Sequence, residues 1–228
     1  PEAGFGAARL SYFNLHGVED GPEWFGQRAP DGVVSLLPDY PVALRPSDVL
    51  RAAGRAPQIV FSEACYGANT AGKSVDEALC LKFLDCGSKV VVGSTKIAYG
   101  SVSEPLIGAD LLGERFWEEL TKGAPAGEAL RRAKITLARQ MHRRQGYLDG
   151  EDQKTLISFV CYGDPLARLP RAAKFFGAKK APAIRPARSK NPPAHAPLAC
   201  DRMAEGRDGE PLDAEALEQV KSIVAKYL

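Results

Sequence analysis

An imidazole and a thiol stand at the ends of two apolar runs in this chain. The first run reads Leu10-Ser-Tyr-Phe-Asn-Leu-His16-Gly17, the second Pro57-Gln-Ile-Val-Phe-Ser-Glu-Ala-Cys65-Tyr-Gly67. A thiol attacks a carbonyl carbon as its thiolate, and a neighbouring base is what makes the thiolate available. Two buried parallel strands ending side by side would bring His16 and Cys65 to one sheet edge. Open α/β sheets bind ligands at that carboxyl edge. Glu63 lies two residues before Cys65, so in an extended strand its carboxylate faces the same side as the thiol. Free cysteine is more often a small buried hydrophobe, and Cys80, Cys86 and Cys161 read that way. Cys65 differs in having a histidine ahead of it on an adjacent strand end.

The elements that must position this pair follow from hydrophobic period. Residues 9–15, 58–64, 89–94 and 155–160 read as strands. Between the second and third, Ser74-Val-Asp-Glu77 has the spacing of a capping box opening a helix that Gly87 stops. Pro105 to Gly123 and 125–143 carry apolar residues at helical spacing. Residues 18–56 are rich in Pro and Gly, with only a short helix expected from Pro46. Strands alternating with amphipathic helices predict an α/β fold with a mostly parallel sheet covered on both faces. The predicted domain spans 1–170. From Pro165 to Ala199 no acidic residue occurs while Arg and Lys recur among Pro and Ala, so 171–210 reads as a basic disordered linker. Residues 211–228 read as an amphipathic helix capped by Asp213, with Leu217, Val220, Val224 and Tyr227 as its stripe.

Composition narrows the class. With 228 residues, 45% apolar and 25% charged, the chain can bury one good core. A net charge of +2 is too small to imply nucleic acid or membrane as a partner. Five cysteines do not pair evenly, which favours reduced thiols and a cytoplasmic setting over a disulfide framework. No apolar run approaches the roughly 18 residues a membrane helix needs. The chain starts at Pro1 rather than at Met and enters a strand almost at once, as a fragment or a processed product would.

The histidine precedes the cysteine by 49 residues, and in this order and spacing the chain resembles the caspase-like clan of cysteine peptidases. The likeness covers roughly residues 9–170 and is nearest to the gingipain and CHAT-type bacterial branch. It rests on Leu15-His16-Gly17, Glu63-Ala64-Cys65-Tyr66-Gly67, Val92-Gly93-Ser94-Thr95 and the terminal Tyr162-Gly163-Asp164-Pro165. Caspases carry glutamine where Glu63 stands. The resemblance implies a three-layer fold whose first strands are missing from this chain, to be supplied by another chain or lost at its boundary. It implies a peptidase that needs no cofactor, although some relatives depend on Ca²⁺; no metal-binding loop is recognisable here. Cys65 would be the nucleophile and His16 the proton carrier, with the Gly17 and Cys65 amides stabilising the oxyanion. Glu63, flanked by Ser94 and Thr95, would line the pocket for the side chain before the cut, and a carboxylate there favours Arg or Lys. Legumain-like enzymes carry the same Glu-Ala-Cys and cut after asparagine, so both specificities stay open. Gly17 is expected to keep a side chain away from the substrate carbonyl.

A rival pattern overlaps the nucleophile. Gly67-Ala-Asn-Thr-Ala-Gly72-Lys73-Ser74 matches the phosphate-cradling G-x-x-x-x-G-K-[ST] motif, which would make this a nucleotide-binding domain. Against it, the next strand ends Val92-Gly93-Ser94 without the aspartate that normally holds Mg²⁺, and the motif leaves His16 unexplained. A third reading is a caspase-like domain kept as an inactive scaffold.

Overall fold

Alternation within each strand decides which helix covers which face of the sheet. The computed structural model describes residues 9–27, 40–49, 56–101 and 104–169. In chain order its elements are β1 (Leu10–Phe13), β2 (His16–Gly17), β3 (Trp24–Phe25), β4 (Val42–Leu44), β5 (Ile59–Ser62), α1 (Leu79–Asp85), β6 (Val90–Ser94), α2 (Gly108–Thr121), α3 (Ala126–Gln145), α4 (Gly150–Ser158) and β7 (Phe159–Gly163). Four strands form the main sheet in the order β1-β5-β6-β7. β1, β5 and β6 run parallel, and β7 is antiparallel to β6. The fold is α/β with a mostly parallel sheet, compatible with the caspase-like class. The linker and final helix expected over 171–210 and 211–228 lie outside the described residues.

Ile59, Phe61, Val90 and Val92 point to one face, where α2 and α3 bring Leu112, Phe116, Leu120, Ala129 and Ala133. Val60 and Val91, one residue out of phase, point to the other and meet Leu79 and Phe83 of α1. This is the two-residue period of a strand buried on both sides, set against the three-to-four-residue stripe of each helix. Each fully buried Phe, Leu or Val contributes about 1.5–3 kcal/mol relative to exposure. Phe61 anchors the α2 side, its ring 5.3 Å from Phe116 and 5.7 Å from Phe159.

Four expectations are corrected. The run 155–160 is not one strand: Thr155 to Ser158 close α4, and the strand starts at Phe159. Asp149 caps α4 by accepting from the Asp152 amide at 2.9 Å, and the Thr155 hydroxyl is satisfied by the Glu151 carbonyl at 2.8 Å. Local capping thus outweighed a short apolar run that periodicity alone cannot assign. The run 9–15 is also divided. After Phe13 the chain leaves the main sheet, and His16-Gly17 enters a second, three-stranded sheet, β2-β3-β4. That small sheet, in the Pro- and Gly-rich stretch expected to hold only a short helix, is fixed by Trp24 and Leu44 on the α1 side of the core. Around Pro46 there is a single 3-10 turn, Pro46–Asp48. Lastly, α1 begins at Leu79 rather than at Ser74. Ser74 and Glu77 close a turn in which the serine amide and hydroxyl both donate to the Glu77 carboxylate, at 2.8 and 2.7 Å. No described helix is long and apolar enough to cross a membrane.

Candidate active site

β1 and β5 are hydrogen-bonded neighbours with Phe13 opposite Ser62, so the two chains leave the sheet together at its carboxyl edge. The Glu63 amide still donates to the Phe13 carbonyl at 2.8 Å. Beyond this point β1 delivers His16 and β5 delivers Cys65, and both line one cavity of about 360 Å³. Glu63, Tyr99, Ser101 and Asp110 share its wall.

Cys65 sits at a tight turn. Tyr66, directly after it, has φ of 57°, a conformation that a side chain other than glycine seldom adopts and that costs on the order of 1 kcal/mol. Surrounding backbone bonds hold it: Tyr66 N to Lys96 O at 2.9 Å, Gly67 N to Ala64 O at 2.9 Å and Ala68 N to Ser94 O at 2.8 Å. The Ala98 amide donates towards Cys65 Sγ at 3.4 Å, and the thiol donates to the Ala98 carbonyl at 3.6 Å, so residue 98 fixes the position of the sulfur. Cys65 is 5% exposed and lines the cavity.

His16 is held by β2 pairing with Phe25, by the edge of its ring against Tyr40 at 5.3 Å between centroids, and by a bond of 3.2 Å between Nε2 and Gln27 Oε1. Gly17 proves necessary for a different reason from the one expected. A Cβ at this position would run into the carbonyl oxygen of Cys65 and the side chain of Ala64, so the glycine lets β2 pack directly on the nucleophile's own backbone.

Glu63 is 8% exposed and accepts a short hydrogen bond from the Tyr12 hydroxyl. Burial, reinforced by the neighbouring Asp110 carboxyl, outweighs the Tyr12 bond and pushes the Glu63 carboxyl up to about 8. Burial and the same glutamate push the Tyr12 phenol far above its ordinary range. Lys96 does not pair with Glu63: its ammonium pairs with Glu19 at 3.3 Å and sits 5.5 Å from the centre of the Tyr66 ring. Ser94 and Thr95 do not form the pocket wall. Ser94 is fully buried, its hydroxyl bonded to Ser158 Oγ at 2.9 Å, and Thr95 bonds the Ser158 carbonyl. The wall is made a few residues later, by Ala98 to Ser101. That segment is laced to the start of α2: Ala109 N donates to Tyr99 O at 2.7 Å, and Ser101 N to Asp110 Oδ2 at 2.6 Å.

Sequence reasoning placed Asp110 on a helix and gave it no role, and it gave none to Gln27. The long-range contacts that bring both to the cavity leave no local pattern. The phosphate-loop geometry is absent. A cradle of that kind needs its Lys-Ser at the mouth of a helix, but α1 starts five residues beyond Ser74, and Lys73 Nζ donates to the Glu19 carbonyl at 2.7 Å.

A family model described as peptidase family C25 matches residues 32–170, more than half of the chain. The chain belongs to this family. It is therefore a cysteine peptidase of the gingipain type, a hydrolase, and the nucleotide-binding and inactive-scaffold readings find no support. The family match takes in Glu63, Cys65 and Asp110, while His16 precedes it. No curated protein matches the chain.

Proposed function

We propose that this peptidase is an endopeptidase that cuts after a basic residue, with Cys65 as nucleophile and His16 as proton carrier. One observation supports the reading above all: the imidazole, the thiol and the Glu63 carboxyl line the same cavity. In the acylation step Cys65 Sγ bonds to the scissile carbonyl carbon, and the C–N bond breaks as His16 passes a proton to the leaving amine. Water then attacks the thioester, giving its proton to His16, and the Cys65 thiolate leaves. The Gly17 and Cys65 amides are the candidates for holding the oxyanion, a contribution of roughly 3–4 kcal/mol per donor where it has been isolated. Glu63 would accept charge-assisted hydrogen bonds from an arginine or lysine side chain lying in the cavity.

The test is a mixture of peptides of diverse sequence digested by the protein, with every new terminus read by mass spectrometry. The expected cuts follow Arg or Lys, disappear in Cys65→Ala, and fall about tenfold or more in Glu63→Gln. Cuts after other residues would overturn the specificity, and cuts persisting in Cys65→Ala would overturn the nucleophile.

A further inference from the structure

The lysine of the rejected phosphate-loop pattern has a use inside this site. Lys73 belongs to the turns that follow Cys65, and its ammonium donates to the Glu19 backbone carbonyl at 2.7 Å. Glu19 lies just beyond His16-Gly17, in the loop between β2 and β3. A second lysine reaches the same residue from another element. Lys96, just past the end of β6, pairs with the Glu19 carboxylate at 3.3 Å. The Lys96 ammonium also sits 5.5 Å from the centre of the Tyr66 ring, within range of a cation–π attraction. Its own carbonyl accepts from the Tyr66 amide at 2.9 Å. Tyr66 is the residue directly after the thiol, held at φ of 57°. Glu19 thus ties the segment after the imidazole both to the turns after the thiol and to the end of β6.

These ties lie where the two sheets need them. Gly17 brings β2 against the Cys65 carbonyl, and Trp24 and Leu44 seat the small sheet on the core. The loop between β2 and β3 is a separate part of this junction: its Val18 and Gly21 line a narrow crevice together with Cys65, Tyr66 and Lys73. Contact at Gly17 fixes one point, about which the loop and the imidazole could still turn. Glu19, gripped by its carbonyl and by its carboxylate, opposes that rotation. A single exposed ion pair contributes little. Here a carbonyl bond, an ion pair and a ring contact, made by two cations, act on one short loop. Reacting groups carried on separate sheets need such placement before substrate arrives.

We infer that Lys73 and Lys96 are positioning residues, which clamp the His16 segment onto the Cys65 segment through Glu19. The inference rests on the proposed chemistry of His16 and Cys65 and adds to it three residues with no part in proton transfer. They act through the placement of the imidazole.

The experiment measures kcat and KM, on a peptide that the wild type cuts, for Lys73→Met, Lys73→Arg, Lys96→Met, Glu19→Ala and the double variant Lys96→Met/Glu19→Ala. Thermal melting of each variant refers kcat to folded protein. Met keeps much of the lysine stem without the charge, and Arg restores a cationic donor. The expected result is a fall in kcat of about three- to tenfold in each Met variant, with KM unchanged and Lys73→Arg close to wild type. The double variant should lose no more than the worse of its two single variants, as two partners in one contact do. Alkylation of Cys65 by iodoacetamide should slow in Lys73→Met towards the rate in His16→Ala, which a loss of stability elsewhere would not produce. Three results would overturn the inference and leave the proposed function standing, in an enzyme that needs both Cys65 and His16. They are unchanged kcat in both Met variants, a loss carried by KM, and a loss in Lys73→Arg as large as in Lys73→Met. Full activity in His16→Ala would overturn the proposed dyad and the clamp with it.

Discussion

At the scale of single residues, the site turns on how burial sets charge. Glu63 is largely enclosed, and its carboxyl, pushed up to about 8, keeps its proton at neutral pH in the empty enzyme. A cationic ligand binds the ionised form, so binding must drive that proton off. The sign follows from linkage: below about pH 8 each unit of pH gained should strengthen cation binding, and above it the gain should stop. Tyr12 from β1 and Asp110 from α2 are titratable groups beside Glu63, and the phenol stays protonated across this range. Benzamidine inhibition measured from pH 6 to 9 should therefore tighten by up to about tenfold per unit and level off near the top. In Glu63→Gln the profile should flatten. A pH-independent inhibition constant in the wild type would contradict this account of the pocket. Part of it was legible beforehand. The two-residue spacing of Glu63 from Cys65 put both on one side of a strand end. Asp110 was not legible, because its place beside Glu63 depends on how α2 docks on the sheet.

At the scale of elements, the two halves of the proposed dyad arrive on different sheets. The main sheet carries Cys65 beyond β5, the small sheet carries His16 in β2, and Gly17 is where the two touch. Gly17→Ala should push β2 off the Cys65 carbonyl and carry His16 with it. Displacements of about 1 Å at a reacting group cost roughly a hundredfold in rate. Activity on an arginyl peptide should fall by about that factor while the circular-dichroism spectrum stays unchanged. Near-wild-type turnover would show that the close approach is dispensable. The elements themselves were unevenly readable. β5, β6, α2 and α3 followed from continuous apolar runs and helical stripes, because burial on two faces or one leaves those periods in the sequence. α4 did not, since Thr155-Leu-Ile-Ser158 is too short for its period to be decisive and the Asp149 cap settled the matter. The small sheet was hidden for a related reason: strands of two or three residues carry no alternation to detect.

At the scale of the whole molecule, an α/β scaffold of family C25 gathers an imidazole, a thiol and two carboxyl groups around one cavity. The order and spacing of two strand ends pointed to His16 and Cys65 as a pair; both residues line one cavity, and their working as a dyad is part of the proposal. The pocket wall was misplaced by a few residues, because strand β6 ends in buried serine contacts with Ser158 before the chain turns into the cavity at Ala98. Everything proposed about catalysis depends on His16 activating Cys65. The measurement that tests this most directly is the rate of alkylation by iodoacetamide at neutral pH, with each modified cysteine located by mass spectrometry, in wild type and His16→Ala. The account predicts that Cys65 reacts well ahead of Cys80, Cys86 and Cys161 and that this advantage is lost in His16→Ala. Equal labelling of Cys65 in both proteins, or modification spread evenly over the cysteines, would contradict it.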